Sequence, residues 1–192
     1  MSIISKNVGI VVMPVTPLHY PLAYLLKKAG KGRFSLPALT VGSMLVDLEI
    51  PFVYLLSGGR FDRLVLHSFV GAALVGIPIS LAVLVFVYRR LLPPIFHVDR
   101  EALKRETSLS WSLVLSAFVG LESHVFIDLL HHPYNPLFYP FTLSSFNSLI
   151  LFGDVHLASI IVSDIMGAAL LLIVLRNIRL GHSRFWDRLL VK

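Results

Sequence analysis

Three residues with metal-ligating side chains follow one another at four-residue intervals in the motif His124-x-x-x-Asp128-x-x-x-His132. Residues four apart lie on one face of an α-helix, so neighbouring members of this motif could bind one metal ion together. A rise of about 12 Å separates His124 from His132, which is too far for both to bind the same ion. Asp128 could instead bridge two ions about 3.5–4 Å apart. The helix must then bend or end near Pro133 for His132 to turn inward.

Further ionisable residues lie within apolar parts of the chain, where each costs roughly a few kcal/mol and is therefore a candidate functional residue. They include His19, Asp47, Glu49 and His67. Asp47 is the best single candidate for a carboxylate ligand. Glu49 lies two helical steps, or about 200°, from Asp47, so both face one site only if the helix is distorted, as before Pro51. Glu49 is predicted to be either a general base or a hydrogen-bond partner of a ligand.

These residue types suit a metal centre better than a covalent catalytic site. Imidazole and carboxylate ligands favour Zn²⁺, Mn²⁺ or Fe²⁺ bound with an open coordination position, and we expect one ion or a pair, most simply zinc. The sequence contains no cysteine, which excludes disulfides, thiolate sites and cysteine nucleophiles. It also lacks a serine nucleophile elbow and a phosphate-binding glycine loop. The alternative is a buried His–Asp hydrogen-bond network that only joins helices.

The chain that must position these residues is strongly apolar. Of its 192 residues, 56% are hydrophobic and 15% are charged, and the mean hydropathy is +0.79. A soluble domain of this size could not bury so much apolar surface, so the sequence predicts an integral membrane protein. The net charge of +6 is distributed between apolar segments rather than gathered in one patch, which argues against a nucleic-acid partner.

Five apolar segments approach the roughly 20 residues that a spanning helix requires. They cover residues 8–26, 36–57, 65–88, 109–131 and 149–175. No internal repeat or flexible linker is visible, so residues 1–192 are predicted to form a single all-α transmembrane bundle. The first helix is predicted to be broken or re-entrant, because it contains Pro14, Pro17 and Pro21.

The distribution of lysine and arginine predicts the orientation of this bundle. If every segment spans, fourteen of these residues lie on one side and three on the other. The positive-inside rule then predicts a cytoplasmic C-terminus and an outer N-terminus in the cell membrane. The candidate histidines and carboxylates of the apolar segments gather in the outer half. This is an independent result, because lysine and arginine alone set the orientation. The uncharged, aromatic-rich loop at 132–148 suits the outer headgroup region.

Four short motifs follow one another along the chain. They are Met13-Pro14-Val15-Thr16-Pro17-Leu18-His19, Gly42-Ser43-Met44-Leu45-Val46-Asp47-Leu48-Glu49, His67-Ser68-Phe69-Val70-Gly71 and the motif from His124 to His132. Together they resemble the membrane-bound metal-dependent hydrolases and a related family of short helical membrane proteins of unknown function. The ligand order is also loosely similar to that of zinc-dependent phospholipase C. Two positions differ: Val46 replaces a usual proline, and Asp62 stands where many of the hydrolases have another histidine.

The resemblance implies a metal site and a reaction. The implied ligands are His19, Asp47, His67, His124 and Asp128, with His132 as a further ligand. The implied reaction is hydrolysis of a phosphoester, in a lipid or another membrane-associated substrate, by metal-activated water at the outer leaflet. Glu49 or Asp62 would take a proton from that water. Two alternatives stay open: a non-enzymatic metal-handling or transport protein, and a structural membrane subunit with a buried His/Asp network.

Overall fold

The computed structural model describes residues 16–192, and within that range the secondary structure is entirely helical. We number the helices α1 (Tyr20–Ala29), α2 (Leu36–Leu56), α3 (Phe69–Phe96), α4 (Arg100–Glu106), α5 (Trp111–Asp128), α6 (Val155–Arg179) and α7 (Phe185–Leu190). Short 3₁₀ turns precede α1 at Thr16–His19 and α6 at Leu151–Gly153. The predicted all-α architecture is confirmed.

Four helices in the described part of the chain, α2, α3, α5 and α6, are long and apolar enough to cross a membrane. They contain 18 to 28 residues, near the roughly 20 that a spanning helix needs. The protein is therefore an integral membrane protein, as predicted. A prolyl 3₁₀ turn leads into α1, which is ten residues long and has Pro21 in its first turn. Residues 8–15 of the first predicted segment, including Met13 and Pro14, lie outside the described residues.

Side-chain caps determine where the spanning helices begin. Ser35, Ser68, Ser110 and Asp154 immediately precede α2, α3, α5 and α6, and each accepts a hydrogen bond from a backbone N–H in the first turn. Such caps satisfy N–H groups that have no partner within the helix, which matters most where little water is available.

Helix α2 loses its regular α geometry close to the candidate site. A 3₁₀ turn at Val46–Leu48 carries Asp47 and is followed at once by Glu49, two residues before Pro51. Proline removes a backbone donor and clashes with the preceding turn, which explains the tightening. The distortion that the sequence predicted before Pro51 is thus present in the structure.

Helices α2 and α5 run parallel and touch backbone to backbone through two glycines. A Cβ atom on Gly42 would lie 2.6 Å from the carbonyl oxygen of Ala117, and one on Gly120 would lie 2.5 Å from that of Leu39. Small residues permit such close approach between membrane helices. Asp47 follows Gly42 by five residues, and His124 follows Gly120 by four. The glycine contact therefore brings the first carboxylate of α2 and the first histidine of the α5 motif to the same level.

Candidate metal centre

Four side chains from three segments converge at one point in the bundle. The Nε2 atom of His124 lies 3.3 Å from Asp47 Oδ1 and 3.4 Å from Asp128 Oδ2. The Nε2 atom of His67, just before α3, lies 3.8 and 3.5 Å from the same two oxygens. Ligand atoms about 2.0–2.1 Å from a tetrahedral zinc ion lie about 3.3–3.4 Å from one another. The four separations are thus close to the edges of a single coordination tetrahedron.

Both histidine rings are held in the orientation that a metal ligand needs. The Nδ1–H of His124 donates to the carbonyl oxygen of Ser43 at 2.6 Å, and that of His67 donates to Glu49 Oε1 at 2.7 Å. Since these acceptors fix the proton on Nδ1, each Nε2 presents a lone pair. Both Nε2 atoms are buried and have no hydrogen-bond partner. Metal-binding histidines characteristically have one ring nitrogen held by an acceptor and the other free to coordinate.

Glu49 supports His67 instead of facing the point of convergence. Its two carboxylate oxygens accept hydrogen bonds from the backbone N–H groups of Leu64, Leu66 and His67 at 2.9, 2.7 and 3.2 Å, in addition to the His67 ring. These bonds hold the carboxylate behind His67. Of the two roles that the sequence left open for Glu49, this geometry favours the hydrogen-bond partner over the general base.

The motif from His67 to Gly71 has a local structural basis. The Ser68 hydroxyl donates to the carbonyl oxygen of Val65 and accepts from the N–H of Gly71, at 2.8 and 3.0 Å. A Cβ atom on Gly71 would collide with that same carbonyl oxygen, so only glycine fits. Serine and glycine together hold the tight turn that points His67 at the centre.

His19 also reaches the centre. Its buried ring stacks on that of His124, with 3.9 Å between the ring centroids. A ligand atom of His19 lies within 4.8 Å of ligand atoms of His124 and Asp128. His19 therefore borders the four converging side chains, on the 3₁₀ turn that precedes α1.

A second group of possible ligands lies at the end of α5. Atoms of Asp128, His131 and His132 lie within 4.8 Å of one another, and His132 Nε2 is 3.6 Å from Asp128 Oδ1. Helix α5 ends at Asp128, but the N–H of His132 still bonds to the Asp128 carbonyl oxygen, so the ring turns inward. Burial lowers the pKa of His131 and of His132, which favours the neutral rings.

His131 lies outside the four-residue spacing of the motif from His124 to His132. The residue is completely buried, and its Nδ1–H donates to the carbonyl oxygen of Ile127 at 2.9 Å. Its backbone carbonyl also accepts a hydrogen bond from the Ser159 hydroxyl of α6 at 2.9 Å. The break in α5 after Asp128 turns the ring away from the position that continuous helical spacing would give it.

Arg63 is the functional candidate that the sequence reasoning missed. Its guanidinium group is buried between Asp128 Oδ2, at 3.2 Å, and His132 Nε2, at 3.1 Å. An arginine in a short loop between membrane helices is ordinarily solvated, so nothing in its type or spacing distinguished it. Asp62, the predicted replacement for a family histidine, lies 3.8 Å from Arg63 Nε and belongs to none of the ligand groups among the described residues.

The polar residues at the start of α6 do not join this centre. Asp154 caps the helix by accepting hydrogen bonds from the backbone N–H groups of His156 and Leu157, and both Asp154 and His156 are exposed. The aromatic loop before them is tied to the start of α3, where the Phe69 N–H donates to the Leu137 carbonyl oxygen at 3.1 Å. The loop thus covers the end of the bundle that holds the centre.

Residues 13–181 match the family described as Domain of unknown function (DUF4184). The chain belongs to this family. Comparison with curated proteins and with solved structures gave no match. The family description states no activity, so the resemblance to metal-dependent hydrolases stays a prediction.

Proposed function

We propose that this protein is an integral membrane metal-dependent hydrolase that cleaves a phosphoester in a lipid or another membrane-associated substrate. The observation that carries the proposal is the pair of buried Nε2 atoms of His67 and His124, which lack hydrogen-bond partners and converge on the carboxylates of Asp47 and Asp128. A bound divalent ion, most simply zinc and otherwise Mn²⁺ or Fe²⁺, would polarise a phosphoryl oxygen and activate water for attack.

A purely structural His/Asp network is less consistent with this arrangement. Buried polar groups that only join helices are normally paired, because an unpaired group costs about 1–3 kcal/mol. Here His67, His124, His131 and His132 each have one buried ring nitrogen without a partner. Clustering of the His67 and His124 atoms around two carboxylates favours a ligand that completes the site.

Asp47 is the most exposed of the four converging side chains. The Asp47 side chain is 14% exposed, whereas those of His67, His124 and Asp128 are between 0 and 4% exposed. Water and a substrate headgroup would therefore enter beside Asp47. Four protein ligands would fill a tetrahedron, so water can bind the ion only if the ion becomes five-coordinate or if Asp47, the most exposed ligand, is released. Because both oxygens of Glu49 are engaged, a released Asp47 would be the carboxylate that takes the proton.

The charge distribution supports an outer-side position for this centre in the cell membrane. Lysine and arginine are concentrated before α2, from the end of α3 through α4, and after α6, whereas the loops that carry Arg63 and His131 contain few. This assignment of the loops does not depend on whether α1 crosses the bilayer. Reporter fusions after Lys28, Arg105 and Lys192 should all indicate the cytoplasm, and a cytoplasmic loop at 132–148 would contradict the outer-leaflet site.

The decisive experiment combines a metal count with hydrolysis assays on the full chain in detergent or nanodiscs. We expect bound zinc, manganese or iron, and release of phosphate or headgroup from a phospholipid panel that stops with a chelator and returns with added metal. Asp128→Asn should abolish both metal binding and activity. Asp154→Asn is the matched control, since asparagine also caps helices and Asp154 lies outside the centre. Metal-free protein with wild-type folding would refute the proposal.

A further inference from the structure

The second ligand group contains a permanent positive charge that comes from the chain itself. The Arg63 guanidinium is 3% exposed, and its two terminal nitrogens contact Asp128 and His132. Arginine stays protonated under all ordinary conditions. A divalent ion bound by Asp128, His131 and His132 would therefore lie directly beside a buried cation.

Hydrogen bonding also removes one of the three ligands from that group. Because a guanidinium group can only donate, the bond from Arg63 to His132 Nε2 uses the lone pair with which this nitrogen would bind a metal. The Nδ1 atom of His132 is buried without a partner and does not face Asp128, since Nε2 is the ring nitrogen nearest that carboxylate. Asp128 was predicted to bridge two metal ions. With His132 engaged by Arg63, no complete second metal position remains beside it.

The charges of the centre favour a single divalent ion. Asp47, Glu49 and Asp128 supply three negative charges, and Arg63 supplies one positive charge. One divalent ion makes this set neutral, whereas two would leave a net charge of about +2 away from bulk water, where charge is costly. Asp62 is 32% exposed at its side chain, so solvent screens much of its charge.

We propose that the centre binds one divalent ion, and that Arg63 takes the place of the second cation that the paired ligand groups would otherwise hold. This inference rests on the proposed metal site but not on its substrate. Arg63 is then a positioning residue: it neutralises and orients Asp128 by donating to Oδ2, the oxygen that also faces His67 and His124.

The first test is the zinc content of the full-length wild-type chain, measured by elemental analysis after saturation with zinc and removal of excess metal. One ion per chain supports the inference. Two ions per chain would overturn it while leaving the metal site intact. No bound ion would refute the metal site on which it rests, so the two failures are distinguishable.

The second test replaces Arg63, which occupies the place of the second cation. Arg63→Met removes the charge and frees His132, so the zinc content should rise from one ion to two, whereas Arg63→Lys keeps a cation and should stay at one. Adding His132→Ala to Arg63→Met should remove only the second ion. Arg60→Met is a matched control from the same loop and should bind one ion. A folded Arg63→Met protein that still binds one would overturn the inference, and if it fails to fold the wild-type count decides.

Discussion

The two ends of the bundle differ in whether their buried polar groups have hydrogen-bond partners. At the histidine end, defined by Asp47, His67, His124, Asp128 and His132, several buried nitrogen and oxygen atoms have no hydrogen-bond partner. At the basic end, defined by Lys27, Arg89, Asp187 and Arg188, the side chains are engaged. Lys27 Nζ, for example, lies 2.7 Å from the Phe34 carbonyl oxygen and 3.1 Å from Glu106 Oε2.

This difference distinguishes polar side chains that hold the fold together from polar side chains that are available to bind a ligand. The basic end uses its hydrogen bonds to connect helices and loops, as where Arg188 bonds to Asn177 and to the carbonyl oxygen of Ser183. The histidine end leaves ligand atoms unsatisfied at one point, a state that is costly unless something binds there. Variants at the two ends should consequently affect different measurements.

His124→Ala should produce the largest effect on metal binding. The ring contributes a ligand atom and stacks on His19, so its loss removes one vertex of the tetrahedron. We expect metal affinity to fall by more than the roughly 10–100-fold that is typical when a residue that only hydrogen-bonds to a ligand is changed. Zinc titration with a competing chelator measures this. Metal affinity within a factor of three of wild type would mean that His124 is not a ligand.

Glu49→Gln should weaken the same centre by a smaller amount. Glutamine keeps the size of the side chain but loses the charge that holds the His67 ring, so we expect about a 10–100-fold loss of affinity. A general base would behave differently, since its loss would lower the hydrolytic rate while metal affinity stayed constant. Zinc titration and rate measurements on one preparation distinguish the two roles.

Polar side chains in apolar segments made much of this centre predictable. Asp47, His67 and His124 stand out because spanning helices contain few ionisable groups, and the structure brings them together. The role of Glu49 was harder to predict. The His67 ring lies between Glu49 and Asp47, with Nδ1 on the former and Nε2 3.8 Å from the latter, so the carboxylates need not share one helix face.

Loop residues and helix ends could not be derived in the same way. Arg63 became part of the centre through contacts between distant segments, for which the sequence contains no local signal. Apolar runs also predict which residues cross the membrane better than they predict where a helix ends. The predicted segment 65–88 ends before Arg89, whereas α3 continues to Phe96, and Arg89 is held there by bonds to Thr107.

Arg188→Met should destabilise the basic end without affecting the metal. The guanidinium closes the turn between α6 and α7, and loss of charged hydrogen bonds costs about 1.5–3 kcal/mol. Thermal unfolding should therefore occur at a lower temperature, while the zinc affinity should be unchanged. Arg179→Met is the control, because Arg179 is exposed at the end of α6 and should have little effect. A parallel loss of zinc affinity would show that the two ends are coupled.

Gly120→Ala tests the backbone contact on which the histidine end depends. The added methyl would lie 2.5 Å from the Leu39 carbonyl oxygen, so α2 and α5 must separate at a cost of about 1–3 kcal/mol. Because Asp47 and His124 lie on those two helices, zinc affinity should fall as well. Gly167→Ala is the matched control, since a Cβ there meets nothing within 4 Å. Equal behaviour of the two variants would exclude this role for the glycine contact.

Tyr20→Phe should have the smallest effect and gives the sharpest comparison, because Tyr20 directly follows His19. The two neighbours serve opposite ends: His19 stacks on His124, whereas the Tyr20 hydroxyl donates to the Leu189 carbonyl oxygen of α7 at 2.6 Å. Loss of that hydrogen bond should cost about 0.5–1.5 kcal/mol and leave zinc affinity unchanged. His19→Ala should do the reverse, lowering zinc affinity with little change in the unfolding temperature of the metal-free protein. If Tyr20→Phe and His19→Ala changed the same measurement, these neighbouring residues would not serve separate binding and structural ends.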